Sequence, residues 1–406
     1  MPTPHPTRAT RMRRVSLTLL GIVVALCGGY VAACALVPVP APTVQLEAES
    51  PRVFSVDESQ VQDAVDGYGR PSAVGWLDGE EVWTNDDEAH PLASITKLVT
   101  VLVGQEAEPL APGADGPTHT WSAADTEIQA ALQEIDGIAF PIPEGTEVTR
   151  KQMLTLALVP SANDFATAYA HSVFGDNAGF VAAVTDWAER QGLDSLVVRE
   201  PSGMDDGNVA SAADVVRIAR LALADPVLAE IVSTERVTMP WGIGEVENTN
   251  PLLGAMTGAV GVKTGHTDVA GYNLAAAATG SFADRELTRI AVVLGRDSQE
   301  GRARDARALL NRLGDAPERL AVASAGEHLG QITSIDGQLI ELSADETVDA
   351  VLVPGEELIR TIDAAAADIT LTGPAGEQSV AVHRDGSIED PTLLWRLTHP
   401  RELFFR

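Results

Sequence analysis

The chain has 406 residues, with 28 Lys plus Arg against 58 Asp plus Glu, a formal net charge of −30. Bulk charge this acidic does not draw a protein to nucleic acid or anionic lipid. The length can bury one large core and a second, smaller one.

Arg8, Arg11, Arg13 and Arg14 precede an almost uncharged run from Val15 to Val37. About 20 apolar residues suffice to span a bilayer, and an arginine cluster before such a run stays cytoplasmic. Residues 1–38 are therefore expected to be a cytoplasmic N-terminus and a retained membrane anchor, with everything after Pro38 outside the cell. A cleaved signal is one alternative, although its apolar region usually runs to about 7–15 residues. Lipid attachment is another, because Val31-Ala32-Ala33-Cys34 resembles a bacterial lipobox. Cys27 and Cys34 are the only cysteines, so the rest of the chain has no disulfide and no thiol chemistry. Residues 39–51 are Pro-rich and read as an extended stalk.

From Ala73 to Thr84, two β-rich runs flank Asp78-Gly79, a hairpin signal. Pro91-Leu92-Ala93 leads into Ser94 and the apolar run Leu98 to Val103, a loop passing into a helix with the serine in its first turn. Glu106 to Thr120 reads as a surface loop. Helices are expected over Gln152–Val159, Phe165–His171, Ala178–Gln191 and Ala212–Ala224, with Ser161 to Asp164 as a turn. Val262–Gly265, Tyr272–Thr279 and Leu287–Leu294 read as strands, and Arg302–Leu313 as an amphipathic helix. This order describes an α+β unit over residues 52–314, an antiparallel sheet with helices packed on it. Residues 315–406 then form a small β-rich domain, with short strands at Ile332–Ile335, Leu339–Leu342, Val348–Val353 and Ile369–Leu371.

The basic residues include only three lysines, Lys97, Lys151 and Lys263. A lysine kept against such a bias does something arginine cannot, such as losing its proton near neutral pH. Lys97 closes Ser94-Ile95-Thr96-Lys97, and Lys263 opens Lys263-Thr264-Gly265. Between them lies Ser161-Ala162-Asn163. Lys151 reads as a solvated surface charge. Ser94 and Lys97 share one face of a helix, so Lys97 can serve as the base that activates Ser94, if burial beside Lys263 keeps it neutral. Ser161 can relay a proton and Asn163 can bind an amide. Lys263 offers an anion site, Thr264 a hydroxyl for a carboxylate, and Gly265 a bare backbone that a peptide can approach. The backbone N–H groups of Ser94 and His266 suit an oxyanion hole. Each motif alone has a bland explanation: a helix cap, a capping turn, a strand ending at a turn. Together and in this order they describe a serine acyltransferase. No His-Glu-x-x-His or clustered ligand set occurs among the eight histidines, so no metal and no cofactor are expected. There is no Gly-x-Ser-x-Gly elbow either.

The stretch Gly261-Val-Lys-Thr-Gly-His-Thr-Asp-Val-Ala-Gly-Tyr-Asn-Leu274 resembles the signature of low-molecular-weight penicillin-binding proteins, and more narrowly of their D-alanyl-D-alanine carboxypeptidases. Ala93–Leu98, Pro201–Asn208 and Asn248–Leu253 resemble the same family, in one collinear order over roughly Ala73 to Leu313. The resemblance implies a penicillin-recognising serine transpeptidase/β-lactamase-like α/β fold. It implies removal of the terminal D-Ala from peptidoglycan pentapeptide, with β-lactam antibiotics as covalent inhibitors. Ser94, Lys97, Ser161 and Asn163 then carry catalysis, and Lys263, Thr264, Gly265 and His266 bind substrate. Arg296 matches an arginine that helps hold the substrate carboxylate. Ala162 stands where the family usually has Gly. A serine β-lactamase, a peptidoglycan endopeptidase and a non-catalytic wall-binding protein remain the alternatives.

Overall fold

A computed structural model describes residues 8–363 and 368–405, with side chains from residue 12. The chain divides into two compact units. One comprises Ser55–Glu318 and Val351–Glu356; the other takes the residues up to Phe54, Arg319–Ala350 and those from Glu357 onward.

The larger unit is built on a five-stranded sheet. Its order is Ala259–Thr267, Gly271–Phe282, Arg285–Arg296, Ser72–Trp76, Trp83–Thr84, every pair antiparallel. Side chains alternate across it with the period of two that a strand imposes. Leu274, Ala276, Ala278, Ala291 and Val293 face one core, shared with Ala306, Leu309, Leu310 and Leu313 of the helix Gln299–Gly314. Ala275, Ala277, Ile290, Val292 and Leu294 face the other, shared with Leu98, Val99, Leu154, Phe165 and Val216 of the helical layer. Both faces are covered, so the strands read as continuous apolar runs. The four alanines at 275–278 keep the strand surface thin and let helices approach closely. Residues 351–356 join this unit through Arg285, which donates to Glu356 at 2.7 Å twice and to the Val351 carbonyl at 2.9 Å.

The smaller unit holds a seven-stranded sheet. Its order is Thr43–Leu46, His328–Thr333, Leu339–Ala344, Gly376–Arg384, Asp368–Gly373, Glu357–Asp363, Arg52–Ser55. Residues 39–51 are therefore not a free stalk. Thr43–Leu46 pairs with His328–Thr333, and Arg52–Ser55 closes the opposite edge. Arg360 is 1% exposed, bonded to Glu327 at 2.9 Å and to the Val322 carbonyl. The N-terminal helix Arg8–Leu36 contains a 25-residue stretch, Met12–Leu36, long and apolar enough to cross a membrane. Tyr30 donates to the Leu397 carbonyl at 2.7 Å, and Arg396 donates to the carbonyls of Ala35 and Val37 at 3.1 and 3.2 Å. Cys34 is fully buried in the last turns of that helix. Residues 1–7 of the expected cytoplasmic segment lie outside the described residues.

Candidate active site

Ser94 sits in a short 3-10 turn, Ala93–Ile95, that runs directly into the helix Thr96–Ala107. Every residue of that helix from Thr96 to Gln105 is buried, as expected of a helix apolar on all faces. Lys97 lies in its first turn with no exposure. Its Nζ donates to Ser94 Oγ at 2.7 Å and to the Ser202 carbonyl at 2.6 Å. Burial pushes the amine down from 10.5 to about 7, against the pull of the Glu200 and Asp164 carboxylates. An amine with that pKa has a substantial share, about half, in its basic form near pH 7, as activation of a serine nucleophile requires.

The helix Arg150–Leu158 stops ahead of Pro160, and Ser161 then takes a φ of +68°. Ala93, next to Ser94, has a φ of +48°. Left-handed backbone at residues with a Cβ is costly and concentrates at functional sites. Ser161 Oγ is buried with no hydrogen-bond partner, leaving a hydroxyl available for a reacting group. Asn163 opens the helix Asn163–Phe174. Its backbone N–H donates to the Ile138 carbonyl at 2.7 Å, its Oδ1 accepts from Ile138 N at 3.0 Å, and its Nδ2 reaches the Ser202 carbonyl at 3.3 Å.

Lys263 and Thr264 lie on Ala259–Thr267, an outer strand of the five-stranded sheet. Burial drives the Lys263 amine well below its usual range, helped by the charges of Lys97 and Arg302. The Thr264 hydroxyl is 2.6 Å from that of Thr249. A Cβ on Gly265 would overlap the Leu92 carbonyl oxygen and lie 3.2 Å from Ser94 N. The glycine thus lets the strand close on the nucleophile's own turn, a reason beyond access for a substrate. His266 is exposed, its ring 4.0 Å from that of Tyr272.

Arg296 corrects the sequence reading. Its Nε donates to Asp305 at 2.9 Å, and its other nitrogens donate to the Pro71 and Leu294 carbonyls and to Ser72 Oγ. The guanidinium is engaged in binding the sheet to the helix Gln299–Gly314 and is not free for a substrate carboxylate. Arg302 is the cation beside the site. It is buried, pushed down to about 10 by that burial, and donates to the carbonyls of Gly265 and Asn273 at 3.1 and 3.2 Å. Asn273 was also missed. Its Nδ2 donates to the Pro91 and Leu92 carbonyls, and its Oδ1 accepts from Gly295 N at 2.7 Å. Both residues act on backbone atoms remote in sequence, so no spacing announces them. Among the described residues, no cluster of His, Cys, Asp and Glu could hold a metal ion.

Comparison with known proteins gives a consistent result. A family model for D-alanyl-D-alanine carboxypeptidases, peptidase family S11, matches residues 82–298. A D-alanyl-D-alanine carboxypeptidase of Mycobacterium tuberculosis is 32% identical over 212 residues, 50% of this chain and 68% of that one. One of Escherichia coli is 30% identical, over 61% of this chain and 63% of its own length. A D-alanyl-D-alanine endopeptidase of Pseudomonas aeruginosa is 30% identical, over 47% and 60%. Penicillin binding protein 5 from Haemophilus influenzae has a similar structure, with a TM-score of 0.56 at 21% identity, covering 79% of this chain and 97% of that one.

Proposed function

The chain belongs to the D-alanyl-D-alanine carboxypeptidase family of serine peptidases and has its penicillin-recognising fold, and on that premise we propose that it removes the terminal D-Ala from peptidoglycan pentapeptide. The observation that carries this reading is the 2.7 Å contact between Ser94 Oγ and a Lys97 amine whose burial holds it near neutrality. In the proposed reaction the proton of Ser94 passes to Lys97 as Oγ attacks the carbonyl carbon of the penultimate D-Ala. The new carbon–oxygen bond forms, the peptide C–N bond breaks, and D-Ala leaves with a proton delivered to its nitrogen. The buried, unpartnered Ser161 hydroxyl is suited to relay that proton. Water then hydrolyses the ester and frees Ser94.

Arg302, and Lys263 when it carries its proton, supply positive potential for the substrate carboxylate, and Thr264 a hydroxyl beside it. Asn163 offers its amide to the substrate backbone. The N–H groups of Ser94 and His266 stabilise the oxyanion, a term worth about 3–4 kcal/mol per donor in such sites. No cofactor enters the scheme. β-Lactams would acylate the same serine. We place the enzyme outside the cell, held by Met12–Leu36, because the arginines at the start of the N-terminal helix favour the cytoplasm. An intact peptide crossing Cys34, found by mass spectrometry of the native protein, supports the anchor; an N-terminus at Ala35 or beyond, or at a lipidated Cys34, refutes it.

The experiment is incubation with a fluorescent penicillin. A covalent adduct mapped to Ser94, with D-Ala released from a pentapeptide, is expected; neither appearing would end the proposal. The Pseudomonas aeruginosa relative favours a second reading, cleavage of crosslinked peptides, and relative turnover of crosslinked and uncrosslinked substrates separates the two.

A further inference from the structure

The block Pro201–Asn208 has no part in the three motifs, yet it touches two of them. Its turn is organised by the Glu200 carboxylate. Oε1 accepts from the backbone N–H groups of Gly203, Met204 and Asp205 at 2.6, 2.7 and 3.2 Å, and from Asn208 Nδ2 at 2.9 Å. Oε2 accepts from Ser202 N at 2.7 Å and Ser202 Oγ at 2.6 Å. Charge-assisted bonds of this kind are about twice as strong as neutral ones, and together they define the turn.

That turn meets the reactive groups at several points. The Ser202 carbonyl accepts from Lys97 Nζ at 2.6 Å and from Asn163 Nδ2 at 3.3 Å. The Pro201 carbonyl accepts from Thr100 Oγ1, one turn beyond Thr96 on the Lys97 helix, at 2.7 Å. The Asn208 carbonyl accepts from Leu92 N at 2.8 Å. Gly203, at a φ of +86°, packs so tightly on the Ala93–Ser94 peptide that a Cβ would overlap the Ala93 carbonyl oxygen and lie 2.9 Å from Ser94 N.

We propose that Glu200 is a positioning residue for acyl transfer: it folds the turn that sets the Ser202 carbonyl against Lys97 and Asn163 and braces the Ala93–Ser94 peptide. It never touches Ser94 and acts through the turn. It also acts through its charge. The ionisable groups around Lys97 come from three elements: Glu200 on this turn, Asp164 on the helix Asn163–Phe174, and Lys263 on the outer strand. The two carboxylates favour the Lys97 ammonium against the effect of its burial, and the Lys97 charge in turn lowers Lys263. Removing the Glu200 charge shifts Lys97 toward its neutral, basic form.

The inference rests on Lys97 acting as the base of Ser94, and the test separates the two claims. The rate constant for acylation by a fluorescent penicillin is measured against pH on the full chain in detergent, with Ser94 sites counted by label stoichiometry. Glu200→Gln places an amide N–H where backbone N–H groups converge, so the turn loosens while side-chain size is kept. Acylation at pH 8 should fall roughly ten- to a hundredfold, the scale that about an ångström of misplacement costs, and the acid limb should move to lower pH. Glu200→Asp should acylate slowly with an unmoved limb, and it carries the test alone if Glu200→Gln does not fold. A role confined to folding would reduce the labelled fraction and leave rate constant and limb unchanged, which overturns the proposal, as does a wild-type rate in either variant. An unlabelled wild type would defeat the acyl-transfer reading and this inference with it.

Discussion

The charge of Lys97 bears directly on Lys263, and both side chains are closed off from water, at 0% and 1% exposed. Two ammonium groups cannot share a dry site cheaply. Both amines are driven down, Lys97 by burial against two nearby carboxylates, and Lys263 by burial and by the charges of Lys97 and Arg302.

Lys97→Arg keeps a cation in place but removes the base, since guanidinium does not deprotonate at accessible pH. Acylation of Ser94 should fall roughly a hundred- to ten-thousandfold, the range that general-base catalysis contributes, with the circular dichroism spectrum unchanged. Lys151→Arg is the control. Lys151 makes an exposed pair with Glu230 at 3.0 Å, and its replacement should leave labelling at the wild-type level.

Lys97 also makes stability depend on pH. Its folded pKa of about 7 lies below its unfolded value of 10.5. Between those values the unfolded chain binds a proton that the folded chain does not, so stability from this group rises as pH rises through the window. Below about pH 7 the buried amine is protonated when folded, and its full cost, on the order of 3–5 kcal/mol, is felt. Lys97→Met should therefore melt higher than wild type at pH 6, with the gap closing by pH 10. A variant that melts lower at pH 6 would show that the lysine is not penalised by its burial.

Gly265→Ala tests the closeness of the strand to the nucleophile. The added methyl meets backbone, the Leu92 carbonyl, which cannot swing aside as a side chain would. A cost of about 1–3 kcal/mol is expected, read as a lower denaturant midpoint. Acylation should fall further than stability does, because the displaced segment carries Ser94. Equal effects on both would mean the strand shifts without moving the serine.

Arg296→Ala separates a structural arginine from a substrate-binding one. It removes the buried bond to Asp305, which keeps Arg304 as its other partner, so a loss of about 1–3 kcal/mol is expected. The molecules that still fold should acylate at the wild-type rate. A selective rise in KM for pentapeptide, at unchanged stability, would restore Arg296 to the substrate site.

What the sequence disclosed was the chemistry-bearing residues and the layout around them. Ser94, Lys97, Ser161, Asn163 and Lys263 stand out because the reaction demands particular side chains at short spacings, and Ala212–Ala224 is capped by Ser211 as its pattern suggests. The strand carrying Lys263 was legible only in part. It runs from Ala259 to Thr267, and its glycines and buried polar residues do not alternate. The helix Ala123–Glu134 has a capping box between Ser122 and Asp125, but its weak apolar stripe hides it. Glu200, Asn273 and Arg302 could not be read at all, because they serve backbone groups that only the fold brings near. The segment 39–51 misled for a related reason. Proline-rich, extended chain suits an edge strand as well as a stalk, and its partners lie near the other end of the sequence.

Those distant partners bear on biosynthesis. Thr43–Leu46 and Arg52–Ser55 are made early, yet every strand between them in the sheet comes after residue 327. Tyr30 and Leu397, joined by a hydrogen bond, are 367 residues apart along the chain. In sequence, the catalytic unit is an insertion within the smaller one. As the polypeptide emerges, residues 55–318 can condense while the two early strands still have bare edges. The smaller unit then closes through contacts of very long separation, which are slow to form. A chaperone or nascent-chain holding factor would find its longest window on those two strands. A ribosome stalled before Glu357 would yield a formed catalytic unit beside a sheet that never assembles.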